Sequence, residues 1–199
     1  MIPTDIGKAY DQLTHLWESD KFNRNNGIEA HRRALEFVKT QGNALDVGCG
    51  STGRLIDYLL ENGFTPEGID ISEKMLALAK EKHPDIPLYQ ADICEWVLPN
   101  KYDLITAWDS IWHIPLDQQD KVISKLINSL NTNGVLIFSC AGTDEEGEQY
   151  DDFMGPEVYY SPLGVSVFLT LFIRLGCICR HFEYDQYPEL HSYFIVQKI

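Results

Sequence analysis

Short apolar runs recur along the chain, and stretches with helical spacing of apolar residues lie between them. The runs that predict strands are ALDV from Ala44, FTPEGID from Phe64 to Asp70, LYQADI from Leu88 to Ile93, YDLITAWDS from Tyr102 to Ser110, and VLIFSCA after Gly134. Alternation of apolar strands with amphipathic helices is typical of a parallel sheet that has helices on both faces. We therefore predict an α/β, doubly wound fold.

The predicted helices fall between these runs and before the first of them. Ser72 is a candidate N-cap for a helix whose apolar face holds Met75, Leu76 and Ala79. A later helix is rich in apolar residues, namely Val122, Ile123, Leu126, Ile127 and Leu130. Two further helices are predicted from Ala9 to Ser19 and from Gly27 to Lys39.

The chain of 199 residues is long enough for one sizeable core but not for two full domains. We divide this single domain into a helical cap (1–43), a core (44–142), an acidic and aromatic insert (143–164), and a helix with a closing hairpin (165–199). Gly and Pro punctuate the insert, which is typical of an ordered surface loop or lid. The hairpin pairs Cys177 to Tyr184 with His191 to Gln197 across a turn at Pro188.

A glycine-rich turn, GCGSTG, follows the first strand and carries the most specific signal in the chain. Gly48, Gly50 and Gly53 allow a sharp turn and close approach of a ligand to the main chain, and a helix after Gly53 would offer free N–H groups. The spacing alone is a weak indication, because dinucleotide-binding enzymes share it and some tight turns bind nothing. Asp46, just before the turn, adds an acid to the motif.

Acids also end the next two predicted strands. Asp70 is placed to accept hydrogen bonds from a ribose diol. Asp92 could meet an adenine amino group while Ile93 covers the ring, although a solvated acid at a strand end is the plainer interpretation. Together these positions predict a nucleoside-bearing ligand at the carboxyl edge of the sheet.

The successive motifs resemble those of the class I S-adenosylmethionine-dependent methyltransferases. The resemblance is carried by Asp46-Val-Gly48-Cys-Gly50, Gly68-Ile-Asp70, Ala91-Asp92-Ile93 and the segment from Tyr102 to His113, and it covers roughly residues 40–142. It implies a Rossmann-like, seven-stranded, mostly parallel sheet with the last strand antiparallel. It also implies S-adenosylmethionine as the methyl donor and S-adenosylhomocysteine as the product, with the cap and the insert enclosing the acceptor.

The resemblance assigns the cofactor site to specific positions. The implied cofactor-binding residues are Asp46, Gly48, Cys49, Gly50, Gly53, Asp70, Ile71, Met75, Asp92, Ile93 and Ala107, with Tyr10 and Trp17 closing over the methionine moiety. The glycine turn is one residue longer than is usual in this family, with Ser51-Thr52 in place of a single residue. An aromatic residue at helical spacing is more often part of a core, so core packing is the alternative for Tyr10 and Trp17.

The chemistry implied is in-line attack by an N, O, S or C atom of the acceptor on a sulfonium methyl group. The donor carries its own activation, so positioning and exclusion of water are the main tasks of the protein. A hydroxyl or a protonated amine would also need a base, and Asp109 and His113, just after the fourth strand, are the candidates. Hydrogen bonding within the loop is the alternative role of both. Tyr159, Tyr160 and His191 are candidates for the acceptor pocket.

The net charge of −14 argues against a nucleic-acid partner, which would need clustered Lys and Arg. The best basic cluster, Arg32-Arg33 beside His31, is more simply a solvated helix face. The charge favours a neutral or cationic small-molecule acceptor. Monomer and homodimer both remain open.

No secretory signal is visible, and the longest apolar stretch, Val165 to Ile173, is too short to span a membrane, so we expect a cytoplasmic protein. The five cysteines are odd in number and scattered, which fits reduced thiols. Strand alternation would place Cys177, Cys179 and His181 on one face, where a metal site can be imagined. Core packing is the better interpretation, and no metal is predicted.

Three functions remain in play at this point. A small-molecule methyltransferase is favoured by the ordered motifs. A nicotinamide-dependent (NAD) oxidoreductase would bind NAD(H) in place of S-adenosylhomocysteine. A non-catalytic, regulatory cofactor-binding protein would keep the fold without turnover.

Overall fold

The computed structural model describes residues 1–199. Its helices are α1 (Pro3–Trp17), α2 (Ile28–Leu35), α3 (Arg54–Glu61), α4 (Glu73–Lys82), α5 (Leu116–Asn128) and α6 (Val165–Arg174). Its strands are β1 (Asn43–Val47), β2 (Thr65–Asp70), β3 (Leu88–Gln90), β4 (Tyr102–Ala107), β5 (Leu130–Ala141), β6 (Gln149–Asp151), β7 (Val158–Tyr160), β8 (Cys177–Glu183) and β9 (His191–Lys198). A 3₁₀ turn covers Ile111–His113.

Seven strands form one sheet in the order β3-β2-β1-β4-β5-β9-β8, and β6 and β7 form a separate hairpin. Strands β1 to β5 pair in parallel, whereas β9 runs antiparallel to both β5 and β8. The predicted fold class is thereby confirmed, including the antiparallel last strand. The strand order reverses between β1 and β4, and in such sheets ligands bind beyond the carboxyl ends of the strands at this point.

Helices cover both faces of the sheet. On one face, α5 and α6 bury residues such as Leu126, Phe168 and Phe172 against the sheet. On the other face, α2 and α3 bury Ala34 and Leu59. The central strands are therefore apolar on both sides, which explains why they read as continuous apolar runs in the sequence.

The structure corrects the predicted bounds of the first two helices. Helix α1 begins at Pro3, six residues before the predicted start, because a proline in the first helical turn sacrifices no hydrogen bond. Helix α2 ends at Leu35, not Lys39. Gly27, predicted to open it, instead takes a left-handed conformation as its N-cap (φ 82°).

Several strand ends also differ from the prediction. β3 stops at Gln90, so Asp92 lies in the following turn, and β4 stops at Ala107, just before Asp109 adopts a positive φ of 55°. Leu130, predicted to belong to a helix, begins β5 and pairs with Tyr102. The insert contains the short β6–β7 hairpin, which no alternation of its residues had indicated.

A β-bulge between Cys179 and His181 overturns the expected alternation along β8. The thiols of Cys177 and Cys179 pack against the core beneath α5 and α6, whereas the His181 ring packs on Tyr193. The extra residue in the strand shifts His181 to the other face, so the three side chains do not gather. All five cysteines are free thiols.

None of the six helices combines the length and the apolar character needed to cross a bilayer.

Candidate active site

A cavity of about 310 Å³ opens at the carboxyl ends of β1, β2 and β4, where the strand order reverses. Its size is that of a small-molecule pocket. Helix α1 covers it from above, and Met154 and Tyr160 of the insert close one side. Seventeen of the 26 lining residues are hydrophobic, so the few polar groups in its wall are the ones that can orient a ligand.

The cavity brings together most of the predicted site residues. Those that line it are Tyr10, Trp17, Gly48, Cys49, Gly50, Asp70, Ile71, Met75, Asp92, Ile93, Asp109, His113 and Tyr160. They come from α1, the ends of β1, β2, β3 and β4, the start of α4, and β7. Residues far apart in sequence thus meet at one edge of the sheet.

Five predicted residues lie outside the cavity wall. Gly53 caps α3, and a Cβ there would meet the His83 ring, 2.3 Å from Nε2. Ala107 is fully buried in the core, and the next residue, Trp108, reaches the cavity instead. Tyr159 is buried with its hydroxyl donating to Glu148 Oε1 (2.6 Å). His191 and Asp46 lie directly behind the wall and are described below.

The glycine turn packs closely against Ser110. Ser110 Oγ donates to the carbonyl oxygen of Val47 (2.8 Å), and a Cβ at Gly48 would lie 2.5 Å from Ser110 Cβ. Gly50 has a φ of 61°, and a Cβ added at this position would have no heavy atom within 4 Å. Its main chain is therefore bare on the side where a ligand would lie.

Asp70 joins the turn to helix α4. Its Oδ2 accepts from the Gly50 N–H and its Oδ1 from the Ser72 N–H, both at 2.8 Å. Ser72 Oγ in turn accepts from the Met75 N–H, which confirms it as the N-cap of α4. Each carboxylate oxygen of Asp70 keeps a second lone pair, so a diol at the cavity wall can still donate to it.

Asp46 carries an unsatisfied acceptor behind the glycine turn. Its Oδ1 is buried and has no hydrogen-bond partner in the protein. Burial raises the pKa of this carboxyl to about 7, with the charge of Arg54 opposing and that of Asp70 adding to the rise. A buried polar atom without a partner is costly unless a ligand or an ordered water satisfies it.

His113 is neutral and has both ring nitrogens engaged. Nδ1 donates to the Tyr159 carbonyl oxygen (2.8 Å), so Nε2 is the acceptor for the Tyr10 hydroxyl (2.7 Å) and the Trp112 Nε1–H (3.0 Å). Burial lowers its pKa to about 4, although the Tyr159 hydrogen bond and the charge of Asp109 oppose the shift. These surroundings disfavour the imidazolium.

Asp109 faces the cavity in a left-handed conformation that is strained for a non-glycine residue. Oδ2 accepts from Asn26 Nδ2 (2.9 Å), and Oδ1 accepts from Ser139 Oγ (3.2 Å) and His191 Nε2 (2.9 Å). Burial alone would raise the pKa of Asp109, but the hydrogen bonds and charge of His191 and the Asn26 amide lower it overall. The carboxylate is therefore held ionised.

His191 links Asp109 to Asp185. Because its two ring nitrogens each face a carboxylate, both donate and the ring is an imidazolium. Burial opposes this charge, yet the bonds to Asp109 and Asp185 raise the pKa of His191. His191 thus acts on the cavity through Asp109 and not by direct contact.

Sequence reasoning missed several residues of this wall. Arg54, Trp108, Ser110 and Trp112 line the cavity, and Asn26 holds Asp109 in place. Arg54 directly follows the third glycine of the turn, which could have signalled it. Nothing in the sequence near Asn26 indicated a partner that is 83 residues away.

The donor set at this edge fits S-adenosylmethionine. Gly50 leaves bare main chain, and the carboxylate of Asp70 lines the cavity with lone pairs that remain free to accept hydrogen bonds. Ile71, Met75 and Ile93 supply apolar walls on which a purine can lie.

Comparison with known proteins supports the same assignment. The profile of a family described as "Methyltransferase domain" matches residues 44–134. An uncharacterized methyltransferase of Bacillus cytotoxicus is 32% identical over 145 residues, covering 68% of this chain and 67% of that protein.

Solved structures share the fold over almost the whole chain. An S-adenosylmethionine-dependent methyltransferase from Clostridium acetobutylicum superposes with a TM-score of 0.75 at 16% identity, covering 96% of this chain and 99% of its own. The magnesium protoporphyrin IX methyltransferase of Synechocystis, solved with bound S-adenosylmethionine, gives 0.74 at 17% identity, with 98% and 93% covered. The chain belongs to the class I S-adenosylmethionine-dependent methyltransferases.

Proposed function

We propose that this methyltransferase acts on a small-molecule acceptor that binds in the same cavity as the cofactor, beside Asp109, Trp112, His113 and Tyr160. The observation that carries the proposal is the two-sided wall of the cavity. One side consists of the glycine turn and the strand-end acids. The other consists of aromatic rings and one ionised carboxylate, which suit a second ligand with an apolar body.

The cofactor, when bound, supplies an activated methyl group on a sulfonium. Gly50, Asp70 and Met75 would hold this cofactor, which would give its methyl group to the acceptor atom and leave as S-adenosylhomocysteine. Helix α1 and the aromatic side chains shield the reacting atoms from water. Holding the two ligands in line can supply about 7–11 kcal/mol of the barrier.

Asp109 is the group best placed to accept the proton that the acceptor loses. It is ionised and lies in the cavity wall, so it can accept a hydrogen bond from an amine or a hydroxyl and take its proton. The imidazolium of His191 behind it holds the carboxylate in place. An acceptor that is neutral or cationic at its reacting end suits this carboxylate.

His113 orients the wall in this scheme and does not act as the base, because its Nε2 lone pair already accepts from the Tyr10 hydroxyl and the Trp112 N–H. It fixes the Tyr10 hydroxyl over the cavity and ties the 3₁₀ turn to β7 through the Tyr159 carbonyl. The net charge of −14 and the small volume of the cavity both favour a metabolite over a nucleic acid.

The test is methyl transfer from methyl-labelled S-adenosylmethionine to cell-extract fractions of small molecules, RNA and protein. We expect label in the small-molecule fraction, identified by mass spectrometry. Asp109→Asn should bind S-adenosylhomocysteine normally and lose at least about 100-fold in turnover, as is typical when a general base is removed. Gly48→Val should bind neither S-adenosylmethionine nor S-adenosylhomocysteine, so this variant gives the background level of labelling.

Two results would count against the proposal. Label confined to RNA or protein would exclude a metabolite acceptor. Cofactor binding with no transfer to any fraction would favour the alternative of a non-catalytic, regulatory binding protein. The comparisons with known proteins offer no support for the NAD-dependent oxidoreductase, and NAD(H) serves as the negative ligand.

A further inference from the structure

The carboxylate of Asp109 lies among aromatic side chains in the cavity wall. Trp108 and Trp112 both line the cavity, and their rings pack on the His191 ring with centroids 5.5 Å and 5.4 Å away. Because His191 Nε2 donates to Asp109 Oδ1, the carboxylate and both indoles contact the same imidazole. The Tyr160 ring, which also lines the cavity, lies 6.5 Å from that of Trp112. One anionic group is thus set into a wall of aromatic rings.

Asp109 keeps hydrogen-bonding capacity for a ligand. Oδ2 accepts only from Asn26 Nδ2 (2.9 Å), whereas Oδ1 accepts from both His191 and Ser139. A carboxylate oxygen has two lone pairs, so one lone pair of Oδ2 is unused. Because Asp109 lines the cavity, this lone pair is available to a ligand there.

The positive charge of His191 does not cancel the negative charge at Asp109, because a second carboxylate shares it. Nδ1 of His191 donates to Asp185 and Nε2 donates to Asp109, so two carboxylates and one imidazolium leave one net negative charge. Arg54, the one arginine or lysine in the cavity wall, is held by neutral groups and forms no ion pair. A negative charge beside the faces of aromatic rings is the combination that attracts an ammonium ion.

The low basicity of Asp109 favours nitrogen over oxygen as the methylated atom. Burial alone would raise the pKa of Asp109, but the bonds and charge of His191 and the Asn26 amide lower it overall. A weakly basic carboxylate removes a proton from an ammonium ion far more readily than from an alcohol, because general base catalysis depends on how closely the two pKa values match. The carboxylate also stabilises the positive charge that an amine nitrogen gains as it attacks. Thiolates and other anionic nucleophiles are repelled.

We propose that the methyl acceptor is a primary or secondary amine whose nitrogen binds at Asp109 Oδ2, beside the rings of Trp108, Trp112 and Tyr160. The inference rests on the proposed function, since it takes Asp109 as the group that meets the acceptor. The amine enters as its ammonium ion and passes one proton through Asp109 to water. The neutral nitrogen then takes the methyl group, so that a bond from nitrogen to carbon replaces the bond from sulfur to carbon. The product leaves as the methylated ammonium ion.

Calorimetric titration tests this recognition without turnover. Protein saturated with S-adenosylhomocysteine is titrated with benzylamine, benzyl alcohol and benzoate, which share a phenyl ring and differ in charge. We expect benzylamine to bind at least about 10-fold more tightly than either analogue, as a hydrogen bond between charged groups provides. Asp109→Asn should abolish this preference, and asparagine tolerates the left-handed conformation at this position. Asp85→Asn, at an exposed acid, is the control and should keep the preference.

An isotope measurement identifies the methylated atom. The protein is incubated with S-adenosylmethionine that carries ¹³C in its methyl group and with small molecules extracted from cells grown on ¹⁵N as the nitrogen source. In the ¹³C spectrum, a methyl carbon bound to nitrogen is split by one-bond coupling to ¹⁵N, whereas one bound to oxygen, sulfur or carbon is not. We expect the split signal from the wild type and from Asp85→Asn, and a loss of at least about 100-fold in its rate of formation by Asp109→Asn.

An unsplit methyl signal would overturn the amine assignment. A wild type without the preference for benzylamine, or an Asp109→Asn protein that keeps it, would overturn the placement of the nitrogen at Asp109. A wild type that binds S-adenosylhomocysteine but transfers no label to any small molecule would instead contradict the proposed function, so the two failures can be told apart.

Discussion

Asp70 has two roles, and one substitution tests both. Its carboxylate fixes the Gly50 and Ser72 N–H groups and offers its remaining lone pairs to the cavity. Asp70→Asn places an amide N–H against one of these backbone donors and removes the charge. We expect S-adenosylhomocysteine binding to weaken by about 1.5–3 kcal/mol, the range for a hydrogen bond to a charged group.

Titration calorimetry measures this loss, and thermal unfolding should show a lower Tm as well. Asp85→Asn, at an exposed acid before β3, is the control. An unchanged Kd in a folded Asp70→Asn protein would remove Asp70 from the cofactor site.

Among the site residues, the sequence could predict those that lie at the ends of strands. Asp70 and Asp92 could be predicted because each lies at the end of a predicted strand, and strand ends meet at one edge of a parallel sheet. The protonation state of His113 could not be predicted, because it depends on Tyr10, Trp112 and the Tyr159 carbonyl, which only the folded chain brings together.

At the scale of elements, α1 covers the cavity and is attached to the core at its middle and at its C-terminal end. Asp11 Oδ1 accepts from Ser72 Oγ (2.6 Å) at the start of α4. Glu18, just after α1, accepts from Ser51 Oγ (2.7 Å) and from Lys82 Nζ (2.8 Å). These contacts join the cap to the glycine turn and to α4 without any shared strand.

Gly7 sets how closely α1 approaches the cavity. A Cβ at this position would lie 3.0 Å from the Ile71 carbonyl oxygen, which is backbone and cannot rotate away. Gly7→Val should therefore lift α1 and weaken S-adenosylhomocysteine binding by about 10-fold or more, while the sheet stays folded.

Calorimetry measures the binding, and hydrogen exchange over residues 3–17 measures the loosening of the helix. Lys8→Val, at an exposed position of the same helix, should leave both unchanged. Normal binding by Gly7→Val would show that α1 does not need this close contact.

Elements with strong periodicity were predicted from sequence, and those set by local exceptions were not. The strand at Cys177 was predicted, but its bulge was not, because one extra unpaired residue leaves no compositional trace. The β6–β7 hairpin was missed because each of its strands has only three residues. Such strands depend on contacts with α1 more than on their own pattern.

At the scale of the whole molecule, two buried neutral histidines make stability depend on pH. His31 donates from Nδ1 to the Gly27 carbonyl oxygen (2.7 Å) and accepts at Nε2 from Thr106 Oγ1 (2.6 Å). Burial lowers its pKa to about 4, as it does for His113. In the unfolded chain both imidazoles become protonated near pH 6.5, whereas in the folded protein they stay neutral down to about pH 4. The free energy of unfolding is therefore highest above pH 6.5, and the contribution of these histidines is lost as the pH falls toward 4.

Between these pH values, each histidine lowers the free energy of unfolding by about 1.4 kcal/mol for each unit by which the pH falls. His31→Gln keeps a donor and an acceptor but does not titrate. The free energy of unfolding of this variant, measured in urea from pH 8 to pH 4, should fall less steeply than that of the wild type by about one such slope. Equal slopes would mean that His31 is not held neutral in the folded protein.

The β6–β7 hairpin and α1 form walls of the cavity yet share no strand ladder with the seven-stranded sheet. Mutations in these walls can therefore accumulate during divergence without breaking the hydrogen bonds that hold the sheet together. Relatives that keep the strand-end acids are expected to differ most in residues 1–17 and 143–164. We therefore expect that exchanging these two segments between relatives alters the choice of acceptor on an unchanged scaffold.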